Sequence, residues 1–483
     1  VERLNGIIRL LKKHRFGAKS ERVENLEEQL IFNEVEKEAA TSAPPTETET
    51  VTYTRKKGRQ KKGPFPEFLE REEKVIDLAD EDKVCPHDGT ALKPIGEERT
   101  EKLKTIPAKM SVVVEVKKKY ACPACESFVT QPKVNSILPG TMATPELLLF
   151  LIFSKFFQGL PLYRLEELFS LSRIELSRGT MARWLIQVKE KLIPLYNCLE
   201  EWAFESGYMA IDATHVQVLK EKGRAPQTKS FMWARGSPEK GVVLFDYDPS
   251  GGGAVAQKLM TGFTGALQAD AHRGYGALTE KELLLLGCMM HSRRRFHKAW
   301  LIAEKKPGLA ADALAMFKWI YGREDYYKDQ AMTPELRKQW RDKELRPSLQ
   351  TMKEWMEQKL KLVPSSSPIG NALSYFINEY PELTAFLEDG RYEIDNGWLE
   401  RTIRKFAIGR NNWMFCDTVD GAHASGLLYS LVITAKLNAK DPFQVMTQIF
   451  SRIPDASTAD HYAELAKLLL SPENPQSCIK KEG

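Results

Sequence analysis

Met209-Ala210-Ile211-Asp212-Ala213-Thr214 sets a single carboxylate inside an apolar run with the composition of a strand. An ionised aspartate there is costly unless a cation or hydrogen-bond donors meet it. The same arrangement returns at Leu267-Gln268-Ala269-Asp270, where the acid ends the run. Working outward, short apolar runs separated by polar turns occur at Tyr208 to Leu219, Phe231 to Arg235, Gly241 to Tyr247, Ala266 to Ala269 and Leu284 to Met289. They predict five strands, with helical stretches between the later ones, and so a mixed sheet flanked by helices. Two acid-bearing strands side by side place Asp212 and Asp270 at one sheet edge, where hard oxygen ligands suit Mg²⁺. A third carboxylate, Glu400, comes from a helix capped by Asp395 that also carries Trp398, Arg401, Arg404 and Lys405. Three convergent carboxylates can hold two cations roughly 3.5–4 Å apart. Spacing alone does not select this trio, because 65 acidic residues offer many others.

At 483 residues the chain is expected to form two to four domains. Hydrophobic residues at 42% and charged residues at 28% give a soluble globular balance. The longest apolar run, Leu147 to Phe153, is far short of the roughly 20 residues a membrane span needs. No charged-then-apolar leader follows Val1, and seven thinly spread cysteines fit a reducing compartment, so a cytoplasmic location is expected. Val1 to Ala40 reads as an amphipathic helix with Leu4, Ile7, Ile8, Leu10 and Leu11 on one face, a stripe suited to self-association. Residues 41–68 are a basic, disordered linker. A small module covers 69–134 and includes an alternating strand at Met110 to Val116. Residues 144–206 are helical, with Thr144-Pro145-Glu146 as a start signal. The sheet occupies 207–298 and 386–445, split by a helical insertion over 299–385, and a helical tail fills 446–483.

The block Asp395-Asn396-Gly397-Trp398-Leu399-Glu400-Arg401-Thr402-Ile403-Arg404, followed by Ile408-Gly409-Arg410-Asn411-Asn412-Trp413-Met414-Phe415, closely resembles bacterial transposases of the insertion-sequence 66 family. So do Tyr429 to Asn438 with Asp441-Pro442, Phe16 to Arg22, Leu160 to Arg164 and Cys288 to Phe296. The resemblance implies an α/β multidomain protein with an RNase H-like mixed sheet, a helical insertion, and a zinc-ribbon-like module and helical DNA-binding segments ahead of the sheet. It implies a DDE transposase whose acidic triad falls on Asp212, Asp270 and Glu400, using two Mg²⁺ or Mn²⁺ ions. The implied chemistry is hydrolysis at the element's ends, then in-line attack of the freed 3′ hydroxyl on target DNA without a covalent enzyme intermediate. Asp270 lies 58 residues after Asp212, and Glu400 another 130 further on, the second gap being filled by the insertion. The implied partners are the terminal inverted repeats, target DNA, further copies of the chain and accessory proteins of the same element, acting at the bacterial nucleoid.

Cys122-Pro123-Ala124-Cys125 has the spacing of half a zinc ribbon, and the family carries a second such pair upstream. Here that pair reads Cys85-Pro86-His87-Asp88, so Cys85, Cys122 and Cys125 would need Asp88 or His87 to complete a structural zinc site. The bland alternative is a module that has lost its metal. For DNA contacts, Arg59 sits in a basic linker resembling an AT-hook, although Gln60 replaces the expected proline. Leu162 to Leu185 could form a helix-turn-helix with a second helix from Ser177 or Arg178, or plain core. Arg293, Arg294 and Arg295, with Arg401, Arg404 and Lys405, are the better candidates for phosphate contacts. Cys288 and His291 could share a metal, but a buried pair beside a strand end is the plainer expectation. Two other function classes fit the same fold: a silent end-binding regulator and a structure-specific nuclease.

Overall fold

A computed structural model of the chain describes residues 110–118, 120–121, 129–130, 135–270 and 283–471. The chain divides into two compact units, residues 19–132 and residues 1–18 with 133–483. In the first, β1 (Tyr120–Ala121) pairs antiparallel with β2 (Val129–Thr130). The strand expected over Met110 to Val116 is not formed: these residues carry no regular structure, and Val112, Val113, Val114 and Val116 are exposed. Three consecutive valines give no clean inside–outside alternation, and no described strand pairs with them. The amphipathic N-terminal segment, the basic linker with Arg59, and Cys85, Asp88, Cys122 and Cys125 lie outside the described residues.

The second unit opens with helices. The Thr144 hydroxyl accepts from the Leu147 amide and Pro145 takes the first helical position, which starts α1 (Pro145–Ile152). After α2 (Leu162–Leu171) the chain breaks at Arg173, whose φ is 59°. Ser177 then caps α3 (Arg178–Glu205), which buries Met181, Leu185, Val188, Leu192, Leu195, Leu199 and Ala203 at helical spacing. The sheet follows as β3 (Tyr208–Lys220), β4 (Lys229–Ser237) and β5 (Val242–Asp248); then, after α4 (Gly253–Leu259), come β6 (Gly265–Gln268) and β7 (Leu283–Leu286). Its order is β5-β4-β3-β6-β7, antiparallel on the β5 side of β3 and parallel on the β6 side.

The last strand is shorter than its apolar run suggests. It stops at Leu286, and Met289 opens α5 (Met289–Ile302). The Gly287 and Met289 amides leave the ladder, donating to the carbonyls of Glu382 and Ile394. The helical stretch that follows holds α6 (Leu309–Asp329), α7 (Pro334–Trp340), α8 (Arg346–Leu360), α9 (Pro368–Asn378) and α10 (Tyr380–Thr384). Phe317, Leu349, Met352, Leu373 and Phe376 there share one core with Tyr208, Ala266, Leu286 and Phe296, so these helices are built onto the β6–β7 side. The chain then returns through α11 (Gly397–Trp413), and β8 (Cys416–Thr418) pairs with the far end of β3. It ends in α12 (Val419–Leu437), α13 (Pro442–Arg452) and α14 (Ala459–Lys467). Among the described residues no helix is long and apolar enough to cross a membrane.

The motif Tyr429 to Asn438 acquires a physical meaning here. β5 is an edge strand, and an exposed edge leaves backbone groups open to wrong partners. α12 covers it with a polar stripe at four-residue spacing. The Phe245 amide donates to Ser430 Oγ (2.8 Å) and the Val243 amide to Thr434 Oγ1 (3.1 Å), while Asn438 Nδ2 donates to the Gly241 carbonyl (3.0 Å). Gly426 permits the approach, since a Cβ there would stand 2.5 Å from the Phe245 carbonyl oxygen. Thr434→Val keeps the shape but strands the buried Val243 amide. It should destabilise the protein by about 1–3 kcal/mol, read by denaturant unfolding; an unchanged midpoint would remove the edge-capping role.

Candidate active site

The ladder between β3 and β6 brings the first two acids to the same end of the sheet. Tyr208 pairs with Ala266, Met209 with Leu267 and Ala210 with Gln268, a constant offset of 58 residues. Asp212 and Asp270 each lie two residues beyond the last pair, at the same end of this ladder. Asp212 is half-buried, and its Oδ1 accepts from the Ala213 amide at 2.7 Å. Asp270 follows the end of β6, where the chain has left the ladder and a carboxylate can reach outward.

Glu400 arrives in the first turn of α11, and several hydrogen bonds decide where that helix begins. Asn396 Nδ2 donates to the Ile211 carbonyl at 3.2 Å, one residue from Asp212. The Tyr208 hydroxyl donates to Gln268 Oε1 (2.6 Å) and accepts from the Glu393 amide, while Gln268 Nε2 donates to the Glu393 carbonyl. Asp395, the expected cap, accepts from the Gly397 amide through its side chain, with Asn396 as the residue preceding the helix. The approach to the helix is therefore pinned to β3 and β6, the strands that carry the two aspartates.

The three carboxylates converge. Burial foremost, and then the charges of Glu400 and Asp270, push the Asp212 carboxyl up to about 7, against the opposing pull of the Ala213 amide and Arg294. Between Asp270 and Glu400 stands the His291 imidazole, with Nδ1 3.6 Å from Asp270 Oδ1 and 3.7 Å from Glu400 Oε1. Arg294 Nη2 lies 3.2 Å from Glu400 Oε2. The Tyr375 hydroxyl, from α9, donates to Asp270 Oδ1 at 3.5 Å, and the Arg295 guanidinium lies 4.0 Å from the centre of its ring.

Of the expected phosphate-binding residues, Arg293, Arg295 and Arg401 are exposed and Arg294, Arg404 and Lys405 half-buried, all on α5 and α11. Arg294 is paired with the catalytic candidate Glu400. Trp413 is buried, and Trp398 is half-buried with its ring against Gly236 on β4. His291 and Tyr375 are the site neighbours whose place the sequence did not announce. His291 had a signal in its spacing from Cys288. Tyr375 had none, since it reaches Asp270 from 105 residues away.

Comparison with known proteins agrees with this picture. A model described as transposase IS66 family matches residues 140–424. A zinc-finger binding domain of transposase IS66 matches residues 82–126, and a model described as transposase C of IS166 homeodomain matches residues 3–73. Similar chains include three uncharacterized proteins of Sinorhizobium fredii (strain NBRC 101917 / NGR234). One, y4qI, is 28% identical, with 98% of this chain and 90% of the relative covered. Another, y4jD, is 29% identical, with 83% and 80% covered, and y4hP is 26% identical, with 94% and 85% covered. No solved structure matches. The carboxylate cluster lies inside a match spanning more than half of the chain, and the chain belongs to the IS66 family of transposases.

Proposed function

We propose that this chain is a DDE transposase. In this proposal Asp212, Asp270 and Glu400 hold two Mg²⁺ or Mn²⁺ ions for cleavage at the ends of an insertion sequence and joining of the freed 3′ ends to target DNA. The observation that carries it is the shared register of β3 and β6, with the Asn396 tether bringing Glu400 to the same sheet edge. The donor set fits hard cations: three carboxylates, one raised to about 7 largely because its charge is buried near two others. An RNase H-like core made of residues 207–298 and 386–445, with 299–385 as an insertion, fits the three antiparallel and two parallel strands and the third acid on a returning helix.

When bound, the cations would activate the attacking oxygen and stabilise the leaving one. The chain's own residues do the arranging. Arg294 holds Glu400 by one oxygen, and Tyr375 steadies Asp270 from the insertion. Asp212 must give up the proton that it half retains near neutrality. Exposed Arg293 and Arg401, with Arg404 and Lys405, would receive DNA phosphates, joined by Arg59. The protein would act on element ends and target DNA in the bacterial cytoplasm, as a homo-oligomer and with accessory proteins of its element. Cys85, Asp88, Cys122 and Cys125 would hold a structural zinc within the matched zinc-finger segment.

The direct test is incubation of the full chain with linear DNA carrying the element's ends, looking for 3′-end cleavage and joined products that require Mg²⁺. DNA binding with no joining under any divalent cation would point to an end-binding regulator instead. The Asp212 shift adds a pH prediction. With a carboxyl near 7, the ionised fraction rises about tenfold between pH 6 and pH 8, so Mg²⁺ should bind about tenfold more tightly at pH 8. Asp212→Asn should weaken binding and flatten that dependence. An equally steep dependence in the variant would assign the proton to another group.

A further inference from the structure

We propose that Cys288, His291 and Glu400 form a second metal site, selective for a soft divalent transition ion such as Zn²⁺, whose filling withdraws Glu400 from the DNA-cleaving centre. The regulatory consequence rests on the function proposed above; the site itself does not.

Among the described residues this is the group of His, Cys and acidic side chains whose ligand atoms all approach within 4.8 Å of one another. Cys288 Sγ lies 4.0 Å from Glu400 Oε1, and His291 Nδ1 lies 3.7 Å from the same oxygen. Donors on a tetrahedral zinc, at about 2.0–2.3 Å from the ion, stand roughly 3.3–3.8 Å apart. The two contacts to Glu400 would need to contract by roughly half an ångström or less, and the sulfur and nitrogen already lie within 4.8 Å of each other. Cys288 immediately precedes α5 and His291 is its third residue, so one rigid turn presents sulfur and nitrogen together.

Two details mark these donors as ready for an ion. His291 Nδ1 is buried and makes no hydrogen bond, an arrangement that costs free energy unless something else satisfies the nitrogen. The Asn396 amide donates to Cys288 Sγ at 3.3 Å, the outer contact that steadies a sulfur ligand. Asp270 Oδ1, 3.6 Å from His291 Nδ1, or a water would take the fourth position. Sulfur and imidazole donors favour zinc, cobalt or copper over magnesium, whose preference is for oxygen. The two kinds of ion would then compete for Glu400, and for Asp270 wherever it supplies the fourth ligand.

The test uses the full chain freed of metal and titrated with Co²⁺, whose thiolate charge-transfer absorption reports a cysteine ligand. The zinc-finger segment contributes its own signal equally to every variant. Wild type should take up one more cobalt per chain than Cys288→Ala or His291→Gln, with a matching loss of near-ultraviolet intensity, and excess Mg²⁺ should not bleach that difference. Thermal melts on all three proteins establish that the variants are folded. Equal stoichiometry and equal spectra in the three folded proteins would overturn the site and leave His291 as an imidazole shared by two carboxylates. In the DNA-joining assay, Zn²⁺ should inhibit the Mg²⁺-supported reaction of wild type. Cys288→Ala, measured against its own zinc-free rate, should need at least about tenfold more zinc. Equal inhibition would overturn the regulatory role. A chain that never joins DNA would refute the proposed function while the cobalt result still decides the site.

Discussion

Asp212→Asn, Asp270→Asn and Glu400→Gln are each expected to lower cleavage and joining of element-end DNA by on the order of a thousandfold or more. Each keeps the size of the side chain and removes a charge that a cation needs. DNA-end binding should persist, because its affinity comes mostly from basic side chains meeting phosphates. The Asp212 variant carries a second expectation of opposite sign. A carboxyl raised to about 7 contributes stability that is present below its ordinary pKa and lost as pH rises through 7. At pH 8 without Mg²⁺, wild type therefore holds a buried charge near Glu400 and Asp270, and Asp212→Asn should melt higher by a few degrees. At pH 5 the advantage should shrink, and it should disappear only below about the ordinary carboxyl value of 3.8. An inactive variant that is also more stable is hard to explain by misfolding. A Glu400→Gln protein that joins DNA at the normal rate would sink the assignment.

Much of the sheet was legible because its strands are short apolar runs with polar turns, and burial enforces that pattern locally. Asp212 stood out for the same reason, as an acid in the wrong company. The capped starts at Thr144 and Ser177 were equally readable, since a hydroxyl three residues before a free amide is a local signal. What escaped depended on distant partners. The Leu283–Leu286 strand ends early because its flanking amides bond to Glu382 and Ile394, which no nearby residue announces. The valine-rich run at Met110 to Val116 looked like a strand, but a strand exists only where another pairs with it. Tyr375 reaches Asp270 only because the helical insertion folds back over β6 and β7, and insertion packing is not written in local periodicity.

That same insertion is expected to govern the site from a distance, through the buried pair of Glu324 and Arg341. Arg341 is fully buried and Glu324 nearly so. The guanidinium donates through Nε and Nη2 to the two carboxylate oxygens, each at 2.8 Å. Its remaining donors hold the carbonyls of Phe386, Asp389 and Tyr392, each at 2.9 Å, so one side chain fastens the segment that leads into α11. Arg337 joins Glu324 to Glu393, whose carboxyl is held down at about 2: burial opposes the shift, but the charges of Lys328, Arg337 and Arg341 prevail. Removing one partner of a buried pair is far worse than never having had it, because the other charge stays in the interior. Glu324→Ala, which strands the buried Arg341 guanidinium and leaves Arg337 with Glu393 alone, should cost about 3–5 kcal/mol, read from denaturant unfolding. Arg341→Met should lose comparable stability with different chemistry, since three carbonyls lose their donor. Arg341 touches none of the three metal-binding candidates, yet under conditions where Arg341→Met is fully folded its joining rate should still fall, because the approach to Glu400 has lost its anchor. Mg²⁺ affinity should fall with it, whereas a purely global destabilisation would leave the folded protein's affinity unchanged. Wild-type Mg²⁺ binding and joining in folded Arg341→Met would show that the helices support the sheet without setting the position of Glu400.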